Sequence, residues 1–153
     1  MKHRTERHRL PYSAEQMFDL AVDIERYPEF LPQWSAAKVR KHDGGTLTVD
    51  QELDIGIQTL RFTSHATVQH PQRLQIRSSQ PPFKSMLIDW RFSSAADGGC
   101  LVTLAVELDM RSMLLEAAVG KFMQMMTSDI FSRFRQRAHE LYGAESPASK
   151  KTV

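Results

Sequence analysis

Apolar and polar positions alternate with a period of two through the middle of the chain and with steps of three and four through its last third. Leu47, Val49, Leu53 and Ile55 stand against Thr48, Asp50, Glu52 and Asp54, and only Gln51 breaks the apolar series. Leu60, Phe62, Ala66 and Val68 share one face of the next segment, and Leu74 and Ile76 one face of a third. Met86, Ile88, Trp90 and Phe92 follow, then Val102, Leu104, Val106, Leu108 and Met110. Side chains along a strand point alternately to opposite faces, so these segments predict an antiparallel sheet with a single buried side. His42-Asp43-Gly44-Gly45, Gly56, His70-Pro71-Gln72, Gln80-Pro81-Pro82 and Asp97-Gly98-Gly99 supply the turns between them. Residues 2–10 are polar but β-tolerant and suit an edge strand ended by Pro11; Lys38–Lys41 is a weakly patterned strand.

Helical signals flank the strands. Ser13-Ala14-Glu15-Gln16 is a capping box, with Tyr12 and Met17 placed for a hydrophobic staple. The helix it opens carries Met17, Phe18, Ala21 and Val22 on one face, and a second turn from Asp23 leads onward. A long helix is expected over Ser112–Tyr142, with Ser112 as N-cap and Gly143 just past its end. Such a helix spans ~45 Å. Its stripe is Leu115, Val119, Phe122, Met126, Ile130, Phe134, Ala138 and Leu141, and Met113, Leu114, Met123 and Met125 add apolar surface off that stripe. Gly120, which costs ~1 kcal/mol against alanine inside a helix, leaves room for a close neighbour. Helix, strands and long helix in that order give an α+β domain whose sheet curls around the last helix, because each has one apolar face to cover. A curled sheet gripping a helix leaves a space between them. Lined by Phe, Met, Leu and Trp, that space suits an apolar ligand.

The run Tyr27-Pro28-Glu29-Phe30-Leu31-Pro32-Gln33-Trp34 fits neither pattern. It is too apolar for a surface turn, and a proline in its middle bars a core helix. Two readings stand: a plug over an open sheet edge, or the lid or wall of an apolar pocket.

Composition narrows the function classes. The chain has 153 residues, with 20 basic and 18 acidic ones, a net charge of +2 and a pI near 8.8. It suits one domain over 1–143 with a disordered tail over 144–153. The charge balance gives no general case for nucleic acid. Lys2, Arg4, Arg7 and Arg9 crowd the start, and Arg133, Arg135 and Arg137 lie near the end. They form either two solvated faces or a phosphate track. A single cysteine, Cys100, allows no internal disulfide and fits a reducing compartment. No signal peptide and no membrane span are expected. Chemistry is sparse. His65 and His70 fall on opposite strand faces, and no Cys/His spacing suits zinc. The glycine pairs are hairpin turns rather than a phosphate loop. Glu107 and Asp109 fall on the solvated face, and Cys100 reads as a buried thiol. No catalytic or metal-binding residue is expected.

Three segments carry a resemblance. Tyr27-Pro28-Glu29-Phe30-Leu31-Pro32, Pro82-Phe83-Lys84 with Trp90-Arg91-Phe92, and Ser112-Met113-Leu114-Leu115 resemble, in order and spacing, the coenzyme Q-binding START-like family of the polyketide cyclase/dehydrase (SRPBCC) helix-grip superfamily. The likeness covers residues 2–143. Gln33-Trp34-Ser35 departs from the family's usual Trp-Cys after Leu-Pro, and Pro82 stands where many members have glycine. The resemblance implies a helix-grip fold: a curved antiparallel sheet wrapped around the long C-terminal helix. It implies a noncatalytic protein without a required cofactor. Ubiquinone or a polyprenylated intermediate of its synthesis would be the bound ligand, in support of respiratory electron transport. On that basis the ligand-binding candidates are Tyr27, Pro28, Phe30, Leu31, Trp34, Phe62, Trp90, Leu115, Val119, Phe122 and Met126. The expected location is cytoplasmic, peripheral on the inner membrane's cytoplasmic face, where each nearby Lys or Arg adds ~1 kcal/mol of attraction to anionic lipid. Bacterial members of this family include toxins that bind ribosomes and block subunit association, which would use the basic faces. Cyclase-like enzymes share the fold and form a third class.

Overall fold

A computed structural model describes residues 2–143, so the tail expected over 144–153 lies outside the described residues. Seven strands form one antiparallel sheet: β1 (Lys2–Leu10), β2 (Trp34–Asp43), β3 (Thr46–Asp54), β4 (Thr59–Gln69), β5 (Arg73–Ser78), β6 (Phe83–Ser94) and β7 (Cys100–Met110). Their order is β1-β7-β6-β5-β4-β3-β2. β2 to β7 run as a meander, each hairpin fixed by the turn chemistry of its loop, while β1 pairs with β7 at the far edge. The chain therefore crosses from one edge to the other between β1 and β2. A helix α1 (Ala14–Val22), a 3-10 turn (Ile24–Arg26) and a one-turn helix α2 (Tyr27–Phe30) make that crossing. The long helix α3 (Met113–Tyr142) closes the apolar side of the curved sheet. This is the helix-grip arrangement expected from the sequence.

The capping box at α1 is complete: the Gln16 backbone N–H donates to Ser13 Oγ (3.1 Å), and the Ser13 N–H to Gln16 Oε1 (3.0 Å). Leu20 joins Met17, Phe18 and Ala21 in the core, whereas Val22 is half-buried. The Tyr27–Trp34 run is corrected in one respect. Its first half is helical, because Pro28 falls in the first turn of α2. There its missing N–H has no partner to lose.

In α3, Ser112 Oγ accepts from the Leu115 N–H (3.3 Å), and the Gly143 N–H donates to the His139 carbonyl (2.9 Å). Val119, Phe122, Met126, Ile130, Phe134 and Ala138 are buried as the stripe predicts. The stripe's ends differ: Leu115 is half-buried and Leu141 is 54% exposed. The buried arc is also wider than the stripe, taking in Met123, Thr127 and Phe131. Edge strand β1 supplies the cover, since His8 stacks on Phe131 with ring centroids 4.0 Å apart. At Gly120 a Cβ would come within 3.3 Å of Lys2 Cε, so the glycine makes way for the lysine's aliphatic stem. Met113, Leu114 and Met125 remain exposed.

Candidate functional site

The space between sheet and helix is present as two small internal voids of about 20 Å³ each, enough for one water molecule apiece. The first is walled by Trp34 of β2, Gln51 and Leu53 of β3, Leu60 and Phe62 of β4, Phe83, Met86 and Ile88 of β6, and Val106 and Leu108 of β7, with Ile55 from the turn after β3. Val119, Phe122 and Met126 of α3 roof it. The second lies between Tyr27, Ile76, Trp90, Leu104 and Ile130. Trp34, Gln51, Ile88, Val106 and Met126 line both and so form the partition. The interior is closer-packed than a curled sheet over a helix suggests, because long Met and Phe side chains reach into it. Methionine, with three rotatable bonds and no branch, fills irregular gaps and moves out of them readily.

One polar feature crosses these walls. Gln51 lies diagonally across from Trp34 on β2, through the Trp34–Leu53 pair, and from Ser64 on β4, through the Val49–Ser64 pair. The Trp34 indole Nε1–H donates to Gln51 Oε1 (2.8 Å), and Gln51 Nε2–H donates to Ser64 Oγ (2.7 Å). The Ser64 hydroxyl donates in turn to the Val49 carbonyl (3.4 Å). Gln51 is 5% exposed and Ser64 fully buried. Among the residues lining the two voids, only Tyr27, Trp34, Gln51 and Trp90 carry a side-chain N or O atom, and none carries a charge. The Tyr27 hydroxyl is committed to the Ala21 carbonyl. Burial, with a smaller push from the Asp23 carboxylate, drives its pKa far above the ordinary phenol value.

The structure places the sequence candidates in two groups. Tyr27, Trp34, Phe62, Trp90, Val119, Phe122 and Met126 line the voids. Pro28, Phe30, Leu31 and Leu115 do not. Leu31 is buried in the core outside both voids, and Leu115 packs half-buried at the start of α3. Pro28 and Phe30 face the other way, into a surface groove of about 360 Å³ shared with Glu29, Pro32, Arg133 and Arg137. There the Arg137 guanidinium sits 5.2 Å over the Phe30 ring and pairs with Glu29 at 2.6 Å. The Tyr27–Trp34 run is thus two-sided: Tyr27 and Trp34 line the voids, while Pro28, Glu29, Phe30 and Pro32 line the surface groove. The residues missed were Gln51 and Ser64. Gln51 had announced itself as the one polar residue in an apolar series. Ser64 stood at the inward position between Phe62 and Ala66, where a hydroxyl drew no notice.

Burial pushes the Cys100 thiol up to about 11 and keeps it protonated at neutral pH. Among the described residues no group of three or more His, Cys, Asp or Glu side chains could hold a metal ion. Several basic residues are already paired: Arg4 with Glu6, Arg9 with Asp97, Arg133 with Asp129, and Arg137 with Glu29 and Glu140. Among the described residues no helix is long and apolar enough to cross a membrane.

Comparison with known proteins gives consistent results. The family described as polyketide cyclase / dehydrase and lipid transport matches residues 10–135. The ribosome association toxin RatA of Pseudomonas aeruginosa is 30% identical over 134 residues, 88% of this chain and 93% of that one. The mitochondrial coenzyme Q-binding protein COQ10 homolog B of Xenopus laevis is 23% identical over 140 residues, 89% of this chain and 57% of that one. Among solved structures, a Streptomyces aromatase/cyclase superposes with a TM-score of 0.81 over 90% of this chain and 93% of its own, at 12% identity. That last likeness is one of fold.

Proposed function

Because the chain belongs to the polyketide cyclase/dehydrase and lipid transport family of START-like proteins, we propose that it is a noncatalytic carrier. It takes up ubiquinone or a polyprenylated quinone intermediate between sheet and α3 and needs no further cofactor. The observation that carries this reading is the pair of voids: they are largely apolar, uncharged, and share Trp34, Gln51, Ile88, Val106 and Met126 in their walls. An isoprenoid tail gains ~25 cal/mol for each Å² it hides from water. Loss of hydration makes the same apolar chamber a poor host for anything ionised. Since each void holds only about 20 Å³, uptake of a quinone requires the walls to part. The first turns of α3 are suited to this, with Met113 and Leu114 exposed and Leu115 only half-buried. Met113 and Leu114 follow Arg111 in the chain, and Lys84 and Lys2 lie near Glu116 of the same turn, so this end combines exposed apolar and basic side chains suited to peripheral contact with the cytoplasmic face of an anionic inner membrane. The name of the Xenopus relative supports a quinone as the ligand.

The test uses a reporter the protein already contains. Its two tryptophans, Trp34 and Trp90, both line the chamber. Titration with decylubiquinone is expected to quench their fluorescence saturably, and lipid extraction of protein purified from a quinone-making host is expected to yield isoprenoid quinone by mass spectrometry. Unchanged fluorescence together with extracts free of isoprenoid sinks the proposal.

A second reading rests on the Pseudomonas relative: association with the ribosome. It requires a basic surface, and the pairing of Arg4, Arg9, Arg133 and Arg137 with carboxylates weakens that surface. If it holds, the protein sediments with large ribosomal subunits and is released as salt rises from 50 to 200 mM, roughly the range over which multi-contact phosphate binding fades. Free protein at low salt, with subunits in excess, excludes it.

A further inference from the structure

We propose that Gln51 is the head-group subsite of the chamber and that it selects neutral ligands bearing a carbonyl oxygen over hydrocarbons and over anions. The inference rests on the apolar-ligand reading above and gives it a recognition element.

The argument begins with hydrogen-bond capacity. A primary carboxamide has two N–H donors and an oxygen with two lone pairs. An indole N–H can only donate, so the atom of Gln51 facing Trp34 Nε1 at 2.8 Å is its oxygen. That fixes the amide's orientation and turns Nε2 toward Ser64 Oγ at 2.7 Å. The relay then runs one way, from Trp34 through Gln51 and Ser64 to the Val49 carbonyl. Among the hydrogen bonds of the described residues it uses one Gln51 N–H and leaves the other unspent. Gln51 lines both voids. An unspent donor in an apolar, water-poor wall is an incentive for an acceptor to arrive, because a buried unmade hydrogen bond is unfavourable and a made one is not.

The class of acceptor follows from the surroundings. No lining residue is charged, so a carboxylate or phosphate entering the chamber would stand desolvated and unpaired. A ring carbonyl accepts the N–H while staying neutral. Trp34, which lines both voids, with Phe62 in the first and Trp90 in the second, supplies aromatic surface for a ring of that kind. Met126, shared by both voids, is the side chain whose movement would join them into one elongated space, with the tail lying along the apolar remainder. Gln51 serves the core by accepting the buried Trp34 N–H and donating to Ser64, and that role uses only one of its two N–H donors. The other is left to meet a ligand.

The experiment compares three probes on one tail length: decylubiquinone, decylbenzene and decanoate, each titrated against the two tryptophans. The native protein is expected to bind decylubiquinone at least tenfold tighter than decylbenzene, about what one hydrogen bond supplies, and to bind decanoate least. Gln51→Leu is expected to abolish that preference, read as the ratio of decylubiquinone to decylbenzene affinity measured on the same variant. The single substitution orphans the Trp34 N–H, so the double variant Trp34→Phe/Gln51→Leu removes both partners and is read through Trp90. Retention of the preference in either folded variant overturns the subsite. Equal binding of quinone and hydrocarbon by the native protein also overturns it and leaves the carrier reading standing. Failure of the native protein to bind either neutral probe removes both.

Discussion

Val119→Arg is expected to abolish quinone uptake, by a hundredfold or more, in a protein that keeps its fold. Val119 is 1% exposed and sits in the α3 roof of the first void. An arginine there has no carboxylate within the lining to pair with. It must either leave a charge in an apolar wall, which is unfavourable by several kcal/mol, or swing its stem toward the end of the chamber. Either result occupies the space the ligand needs. Met125→Arg is the control, because Met125 is 57% exposed on the same helix and should leave uptake unchanged. Val119→Phe separates charge from volume: it fills the void with apolar atoms at an overpacking cost of about 1–3 kcal/mol and should lower affinity while circular dichroism stays native. Normal uptake by a folded Val119→Arg protein means that the ligand does not use this side of α3.

The prediction depends on α3 and the sheet sharing one interior, and that much could be read from periodicity. Strands with a single apolar face and one long amphipathic helix leave each other as the available cover, so the grip follows without knowledge of any contact. Three features did not follow. Whether the interior is roomy or close-packed depends on where Met126 and Phe122 direct their side chains, and rotamers of flexible residues leave no trace in a pattern of apolar positions. The burial of Met123 and Phe131 depends on β1 lying against the helix flank, a pairing made by residues more than a hundred positions apart. The Trp34–Gln51–Ser64 relay depends on strand register, which sets diagonal neighbours and which alternation alone leaves undetermined. The polar break at Gln51 was visible, but its partners came only with β2–β3 and β3–β4 pairing. Pro28 shows the reverse error: a rule for helix interiors was applied to a residue that begins a helix. The motif's two-sided role comes from its local shape: the one-turn helix sets Tyr27 inward and Pro28 and Phe30 toward Arg137, and the chain then enters β2 with Trp34 at the chamber.

Phe134→Ala is expected to produce the largest loss of stability among single truncations on α3, about 3–5 kcal/mol. Phe134 is 2% exposed and its ring meets three others, Tyr27 at 5.9 Å, Phe30 at 5.1 Å and Trp90 at 5.1 Å between centroids. It thereby ties α3 both to the Tyr27–Trp34 run and to β6, so truncation removes burial and edge-to-face contacts at one point. For a chain of this size each kcal/mol lowers the melting temperature by roughly 2–4 °C, so thermal unfolding followed by circular dichroism should shift down by about 10 °C. Leu141→Ala, at a position 54% exposed on the same stripe, should shift it by no more than about 1–2 °C. The location of the loss carries a further consequence. Tyr27 and Trp90, two of the residues left without the ring, also wall the second void, and Ile130, one turn back along α3, closes it. Removing the ring should therefore extend that void instead of leaving an isolated hole. A ligand that binds the native state and not the unfolded one stabilises by mass action. Saturating decylubiquinone should then restore more of the melting temperature in Phe134→Ala than it adds to the native protein. Equal increments in the two would mean that the aromatic cluster holds the fold together without bordering the space the ligand enters.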